Sequence, residues 1–334
     1  MAKARLTQLT SKKRLIAITT GDSDGIGLEI TYKALHKIKS SSSTFLIFRN
    51  KEKVLKTDNS LPPLPKSKRL KVATLSDALA ETYDKNSSFQ YIEIQQDTNP
   101  AEWVQQAAVL CLKKQIHGLV TGPVSKKTFI DAHLDSVGHT PLLSKTCQTP
   151  YVYMGFLGQY FNVILATGHI PLQQVESQLN ANDSLKVCFE TLLQWRKHLP
   201  KKLQNRPLGV LGLNPHSGED GLIGNFENQK LIKLISSSSF KDLLVGPLVP
   251  DVAFFKENWS KYSFFVALYH DQGLIPFKMT HGRTGGCHVS VGLPIIRTSV
   301  DHGTAKDIYG KGIAKPDSMV SAISWCEVLI RQSI

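Results

Sequence analysis

The chain has 334 residues, enough for one large domain or two smaller ones. Its 41% hydrophobic and 20% charged residues are ordinary for a globular protein, and no stretch approaches the roughly 20 apolar residues of a membrane span. A net charge of +13 raises nucleic acid or an anionic small molecule as partner. However, the basic patches (Lys3, Arg5, Lys12, Lys13 and Arg14; Lys66–Lys71; Lys197–Lys202) carry no interleaved aromatics and no zinc-finger or RNP-like pattern. They read as solvated surface, and neither a specific nucleic-acid partner nor a membrane is expected. The five cysteines (Cys111, Cys147, Cys188, Cys287 and Cys326) form no CxxC pair, which points to reduced thiols. The apolar run Leu15–Ile18 is too short for a signal-peptide core, so a cytoplasmic protein is expected.

In chain order, Leu15–Thr19 reads as a strand, and Ile26–Ile38 as a helix with apolar positions at Ile26, Ile30, Ala34 and Ile38. Thr44–Phe48 is a strand, Leu61–Lys71 with its prolines a loop, and Gln90–Ile94 a strand. Ala101–Lys114 is helical, and His117–Thr121 is a strand ending in Gly122-Pro123. Strands follow near 151–156, 161–167, 208–213 and 264–268, with helices near 182–197 and 226–236 and a last helix over about 317–331. The serine runs at 40–43 and 236–239 read as loops or helix ends. This alternation predicts a doubly wound α/β fold. The pattern breaks at Asp135-Ser136-Val137-Gly138, which places one domain boundary near 135 and a return to the first domain near 270.

Three of the apolar runs end alike. Phe161–Thr167 runs into Gly168-His169, Leu208–Leu213 into Asn214-Pro215-His216, and Phe264–Leu268 into Tyr269-His270-Asp271. One histidine at a strand end is ordinarily a turn or capping residue. Ligands of open α/β sheets, however, bind outside the carboxyl ends of the strands. Three imidazoles there form a candidate catalytic divalent-metal site with open positions.

Other motifs are compatible with anion binding. Gly21-Asp22-Ser23-Asp24-Gly25-Ile26-Gly27 joins the first strand to a helix, as a phosphate-binding turn does, although a plain glycine turn fits equally well. Thr121-Gly122-Pro123-Val124-Ser125-Lys126-Lys127 sets two cations at a helix start. Gly138-His139-Thr140-Pro141 opens another helix, as an anion site or an ordinary N-cap. Arg297 is suited to a bidentate grip on an anion, and the glycine-punctuated loop after it to a nucleotide or to a substrate lid.

Taken in order, GDSDGIGLEI, TGPVSKK, GHT, NPHSGEDGLIGNFE, GPLVPD, YHDQGLIPFK and GLPIIRTSVDHGTAKDIYGKGIA resemble the 4-hydroxythreonine-4-phosphate dehydrogenase family of vitamin B6 biosynthesis, over about residues 14–326. The resemblance implies a two-domain isocitrate/isopropylmalate dehydrogenase-like fold, with the active site in the interdomain cleft at a homodimer interface. Residues 1–135 plus 271–334 would form an α/β nucleotide-binding domain, and residues 136–270 the domain for metal, substrate and dimerisation. His169, His216 and His270 match the family's metal ligands, with His270 reaching across from the partner subunit. His139 and Thr140 match substrate-binding positions. Lys278 and Arg297 match residues that hold the substrate, largely through its phosphate, and His288 stands where the family has a substrate-side asparagine. Asp251 and Asp271 match acidic residues near the metal. The loop Asp301–Gly312, with Asp301, Gly303, Thr304, Asp307 and Gly310, matches the region that binds NAD (or NADP). The metal would be Zn, Co, Mn or Mg. Asp271, Lys278 and a water on the metal are all candidates for the group that takes the hydroxyl proton.

The sequence departs from the family at Ser23, Asp24, Leu28, Pro141, Phe226, His288 and Tyr309. The leading expectation is a metal- and NAD-dependent dehydrogenase of 4-phosphooxy-L-threonine. The alternatives are a dehydrogenase of threonate or erythronate 4-phosphate, kept open by His288; a metal-dependent phosphatase or other hydrolase on the same histidines; and a nucleic-acid-binding module, motivated by charge alone.

Overall fold

The structure, a computed structural model, describes residues 14–38, 41–51, 61–84, 87–282 and 285–333. Lys3, Arg5, Lys12, Lys13 and Ser40 of the features above lie outside these residues. The chain forms two compact units, Met1–Gln148 with Pro294–Glu327, and Thr149–Leu293 with Val328–Ile334. Both boundaries fall later in the chain than the expected 135 and 270. After the break at Asp135–Gly138 the chain makes one more helix, His139–Thr146, which packs on the helix Pro100–Leu112 of the first unit. Likewise the helix His270–His281 buries Leu274 and Phe277 in a core with Phe161, Val163, Leu165 and Phe265 of the second unit.

In the first unit, strands β1 (Arg14–Thr19), β2 (Ser43–Arg49), β3 (Arg69–Val72), β4 (Tyr91–Gln95) and β5 (Gly118–Thr121) precede the second unit. In the second, β6 (Tyr153–Leu157), β7 (Val163–Leu165), β8 (Leu208–Leu211), β9 (Leu244–Leu248), β10 (Phe265–Ala267) and β11 (Cys287–Val291) follow, and β12 (Arg297–Ser299) returns to the first. The first unit's strands are parallel and ordered β3-β4-β2-β1-β5-β12. All seven residues of β2 are buried, as expected for a parallel strand covered on both faces. The covering helices include α1 (Gly27–Lys37), α2 (Leu75–Tyr83), α3 (Pro100–Leu112), α4 (Lys126–Asp131) and α5 (His139–Thr146). The second unit's order is β11-β6-β7-β10-β8-β9, with β6 antiparallel to both its neighbours and the rest parallel.

Strands β3, β9, β11 and β12 and helix α2 are not among the elements that apolar patterning predicts. The predicted loop Leu61–Lys71 ends in a turn at Lys66–Lys68 and then β3, whose basic residues pair with β4. The basic side chains Lys66, Lys68, Lys71, Lys197, Lys201 and Lys202 are exposed, as solvated surface should be. The cysteines are free and buried. Among the described residues, no helix is long and apolar enough to cross a membrane.

One ionic cluster lies inside the first unit. The Glu93 carboxylate is fully buried between Arg69 Nε at 3.0 Å and Arg49 Nη1 at 3.5 Å, and it accepts the Tyr32 hydroxyl at 2.5 Å. Burial first, and then the Glu93 charge, hold that phenol well above its ordinary pKa.

Candidate active site

The three strands that end in histidine are neighbours. β10 lies between β7 and β8 and is parallel to both, so all three ends leave the sheet at one edge. Side chains stitch those ends together. Thr167 Oγ1 donates to Leu268 O at 2.7 Å, joining the end of β7 to the end of β10. Gln272 accepts from Leu268 N at 2.7 Å and donates to Gly212 O at 2.7 Å, joining β10 to β8. Neither residue stands out in the sequence, because each acts only once the strands are side by side.

The histidines themselves are placed differently. His169 and His270 stand with ring centroids 5.0 Å apart. His270 opens a helix, where the sequence suggested a turn, and its Nδ1 donates to Asp271 Oδ1 at 2.7 Å. That bond fixes the tautomer and leaves Nε2 for a ligand. His216 sits at the neighbouring strand end, exposed, with Nδ1 3.6 Å from Glu219 Oε2. Among the described residues, no three His, Cys, Asp or Glu side chains come together within one chain as a ligand set. The donor types fit a divalent metal. One chain brings two of the imidazoles together and holds the third at the adjacent strand end.

The loop carrying His216 is unusual. His216, Ser217, Gly218, Glu219 and Asp220 all have positive φ, between 43° and 83°. Left-handed backbone costs L-residues roughly 1–2 kcal/mol each, so this turn needs fastening from outside. Asp251 lies on the exposed part of a short helix after β9. Lys278 is exposed, eight positions beyond His270 on the same helix, about 12 Å along its axis. His288 sits on β11 with its ring centroid 5.4 Å from that of Phe156.

In the first unit the strand order reverses between β1 and β5, the switch point where open α/β sheets bind ligands. The glycine turn after β1 meets two other motifs there. Asp22 accepts from Ser125 N at 3.2 Å and from Thr128 Oγ1 at 2.8 Å. Ile26 N donates to Thr304 O at 3.0 Å, Asp22 N to Pro123 O at 3.1 Å and Gly25 N to Asp22 O at 3.1 Å. Those amides serve the chain's own carbonyls, so this part of the turn anchors the 301–312 loop and does not form a free phosphate cradle. Lys306 tightens the anchor, with Nζ 2.7 Å from Asp24 and 3.5 Å from Asp22. Its pKa is raised by the Asp24 hydrogen bond first, against a smaller opposing effect of burial.

The loop's other end is tied by Ser318, whose hydroxyl donates to Asp301 Oδ1 at 2.7 Å and accepts from Asp301 N at 3.2 Å. Within the loop, Gly303, Asp307 and Gly310 are exposed and Thr304 is half-buried. His302 Nε2 is buried with no hydrogen-bond partner. An orphaned buried nitrogen in a glycine-rich loop fits a loop that receives a polar cofactor.

Arg297 is on β12, not in a loop, and is only 2% exposed. Its Nη2 and Nε donate to Thr121 Oγ1 at 2.6 and 3.2 Å. His139 lies near it at the start of α5, capped by Gly138 and not by the Thr140 side chain. The His139 ring meets Phe129 edge-on at 5.3 Å, and its Nε2 is buried without a partner. Burial, and then the Arg297 charge, keep this imidazole well below its ordinary pKa, hence neutral near pH 7. The predicted substrate residues are thus divided, with His139, Thr140 and Arg297 in the first unit and Lys278 and His288 in the second.

A parallel-sheet unit with a glycine-rich loop at its switch point, and a second unit with histidines at three strand ends, are the parts of an α/β dehydrogenase. Comparison with known proteins agrees. The family model "Pyridoxal phosphate biosynthetic protein PdxA" matches residues 29–326. A 4-hydroxythreonine-4-phosphate dehydrogenase of Sulfurihydrogenibium sp. is 32% identical over 332 residues, covering 95% of this chain and 98% of the relative. A protein of Oceanobacillus iheyensis, provisionally named D-threonate 4-phosphate dehydrogenase, is 33% identical over 330 residues, covering 94% and 97%. The crystal structure of the 4-hydroxythreonine-4-phosphate dehydrogenase of Klebsiella pneumoniae superposes with a TM-score of 0.79 at 26% identity, covering 96% of this chain and 99% of that one. The chain belongs to the PdxA family of pyridoxal phosphate biosynthetic proteins.

Proposed function

We propose that this chain oxidises 4-phosphooxy-L-threonine at C3 with NAD and a divalent metal, and that loss of CO₂ then gives 3-amino-2-oxopropyl phosphate. The observation that carries the reading is the row of three histidines at the ends of β7, β10 and β8, stitched by Thr167 and Gln272. His169, His216 and His270 would hold the metal, and the loop Asp301–Gly312 the NAD. When bound, these groups supply Lewis-acid polarisation of the C3 hydroxyl and an acceptor for the hydride.

The chain's own residues do the rest. Asp271 holds His270 in one tautomer. Arg297 and Lys278 bind the phosphate, away from the reacting carbon, so that binding energy orients C3. His139, neutral beside the Arg297 cation, offers a hydrogen bond to the substrate without a second positive charge. Asp271, at the His270 end of the helix, is our choice of group to accept the hydroxyl proton, since Lys278 lies two turns away. Asp251 acts as a further acidic group near the metal.

The same reading makes the protein a homodimer with a shared site, although within one chain His270 already stands beside His169. Ile275 and Met279, 57% and 81% exposed, lie one turn apart on the His270 helix and give the partner an apolar face to cover. Free buried thiols suit the cytoplasm. A second reading, oxidation of threonate or erythronate 4-phosphate, is favoured by His288 on β11 and by the Oceanobacillus relative, whose identity to this chain matches that of the first relative.

NADH formation from 4-phosphooxy-L-threonine, NAD⁺ and Zn²⁺, Co²⁺, Mn²⁺ or Mg²⁺ tests this. Metal-dependent turnover, lost in His216→Ala, is the expected result. Turnover with D-threonate 4-phosphate alone would select the second reading, and NAD-independent phosphate release would overturn both.

A further inference from the structure

We infer that Glu227 is a positioning residue for the metal site, holding His216 in place through Asn214; this rests on the metal-binding reading above. Glu227 is fully buried, and among the described residues it forms no ion pair with Lys, Arg or His. A buried carboxylate without a cation must be satisfied by hydrogen bonds. Glu227 has three, all from the segment leading into His216. Its Oε1 accepts from Leu213 N at 2.7 Å and from Asn214 N at 2.8 Å, and its Oε2 accepts from Asn214 Nδ2 at 2.9 Å. The carboxylate therefore closes off the end of β8 and fixes the residue two places before the histidine.

The left-handed turn is built around the same group. A Cβ at Gly218, where φ is +83°, would stand 2.8 Å from Glu227 Oε2 and 2.6 Å from Gly224 O. A Cβ at Gly224 would stand 2.5 Å from Asn214 Nδ2. The turn closes on itself through Ser217 N to Asn214 O and Ile223 N to Gly218 O, both 3.1 Å. Asn214, Gly218, Gly224 and Glu227 of the NPHSGEDGLIGNFE stretch thus form one lock, and His216 is its only exposed imidazole. Glu227 itself opens a π-helical turn, Glu227–Leu231, a geometry that recurs at functional sites.

Nothing in this arrangement needs Glu227 to touch the metal or the substrate. Its effect is to set where the His216 ring stands relative to the ends of β10 and β7. Removing the acceptors frees a turn that is unfavourable by itself, and the backbone that carries the imidazole is no longer fixed.

Cobalt titration of the purified full chain tests this, with the d–d absorption of bound Co²⁺ as readout. The parent should take up Co²⁺ and His216→Ala should lose it. Glu227→Ala, with its melting cooperative, should bind Co²⁺ roughly 10- to 100-fold more weakly and show an altered spectrum. Glu227→Gln should stay within a few-fold of the parent, because the Asn214 amide can turn to meet the new NH₂ with its oxygen. Asn214→Asp sets a carboxylate against Glu227 and should weaken binding in the same direction. It decides the matter if Glu227→Ala does not fold. If the parent and His216→Ala behave as stated while Glu227→Ala and Asn214→Asp bind as the parent does, the inference about Glu227 is overturned alone. If the parent takes up no Co²⁺, the metal reading and this inference fall together.

Discussion

Arg297 spends two of its N–H groups on a single oxygen, the hydroxyl of Thr121, on the neighbouring strand of a buried parallel sheet. The guanidinium plane is therefore set by the fold itself, before any ligand arrives.

Arg297→Lys retains the charge and removes the fork. With hydrogen bonds to charged groups contributing about 1.5–3 kcal/mol, KM for the phosphorylated substrate should rise roughly 10- to 100-fold. Thr121→Val should move KM in the same direction by less. Steady-state kinetics check both, and an unchanged KM in Arg297→Lys would remove Arg297 from phosphate binding.

Gln272 bridges two strand ends by one acceptor and one donor. Gln272→Leu leaves Leu268 N and Gly212 O without that partner. Urea denaturation should show a loss of about 1–3 kcal/mol for each group left unsatisfied, up to about twice that in all. Metal affinity should fall with it, since two of the three histidine-bearing strands are no longer tied.

Glu93 sits between two arginines with no solvent access. Glu93→Gln removes the negative partner and leaves two cations behind. A loss of about 3–5 kcal/mol of stability is expected, with the substrate KM of the remaining folded enzyme unchanged. Chemical denaturation alongside kinetics would separate the two effects.

His198 contributes acid sensitivity to the second unit. Burial first, and the neighbouring Lys197 second, push its pKa down to about 4. The folded pKa is depressed, so the stabilising contribution is present above the unfolded value of about 6.5 and is lost as pH falls towards about 4. Stability measured between pH 7 and pH 4 should decline less steeply in His198→Gln. An identical slope would show that other groups carry the acid sensitivity.

The histidine row was legible in the sequence because its strands are short runs of buried β-formers, each ending at a chemically distinctive residue. The first strand, turn and helix were legible for the same reason. β11 and β12 were not, since Cys287-His288-Val289-Ser290 and Arg297-Thr298-Ser299 mix polar residues into strands whose burial comes from the rest of the fold. The helix His270–His281 was hidden by Gly273 and Pro276, both poor helix formers, the glycine being needed where the helix crosses Val163 and Ala267. Gln272 and Glu227 fall inside the motifs YHDQGLIPFK and NPHSGEDGLIGNFE, but nothing in those motifs tells what either side chain binds. Each acquires its role from main-chain groups tens of positions away or from a turn that exists only when folded.

β10 has only three residues, Phe265–Ala267, yet it is held at both ends. Asn162 Nδ2 donates to Ser263 O at 3.0 Å where it begins, and Thr167 and Gln272 take hold of Leu268 where it finishes. A slip of one residue in so short a strand would turn its side chains to the opposite face. The three strands lie about 4.8 Å apart across the sheet, and each leads into a segment that carries a histidine. Asn162, Thr167 and Gln272 keep the middle strand from sliding, so the accuracy with which it is laid down during folding sets where the His270 helix begins.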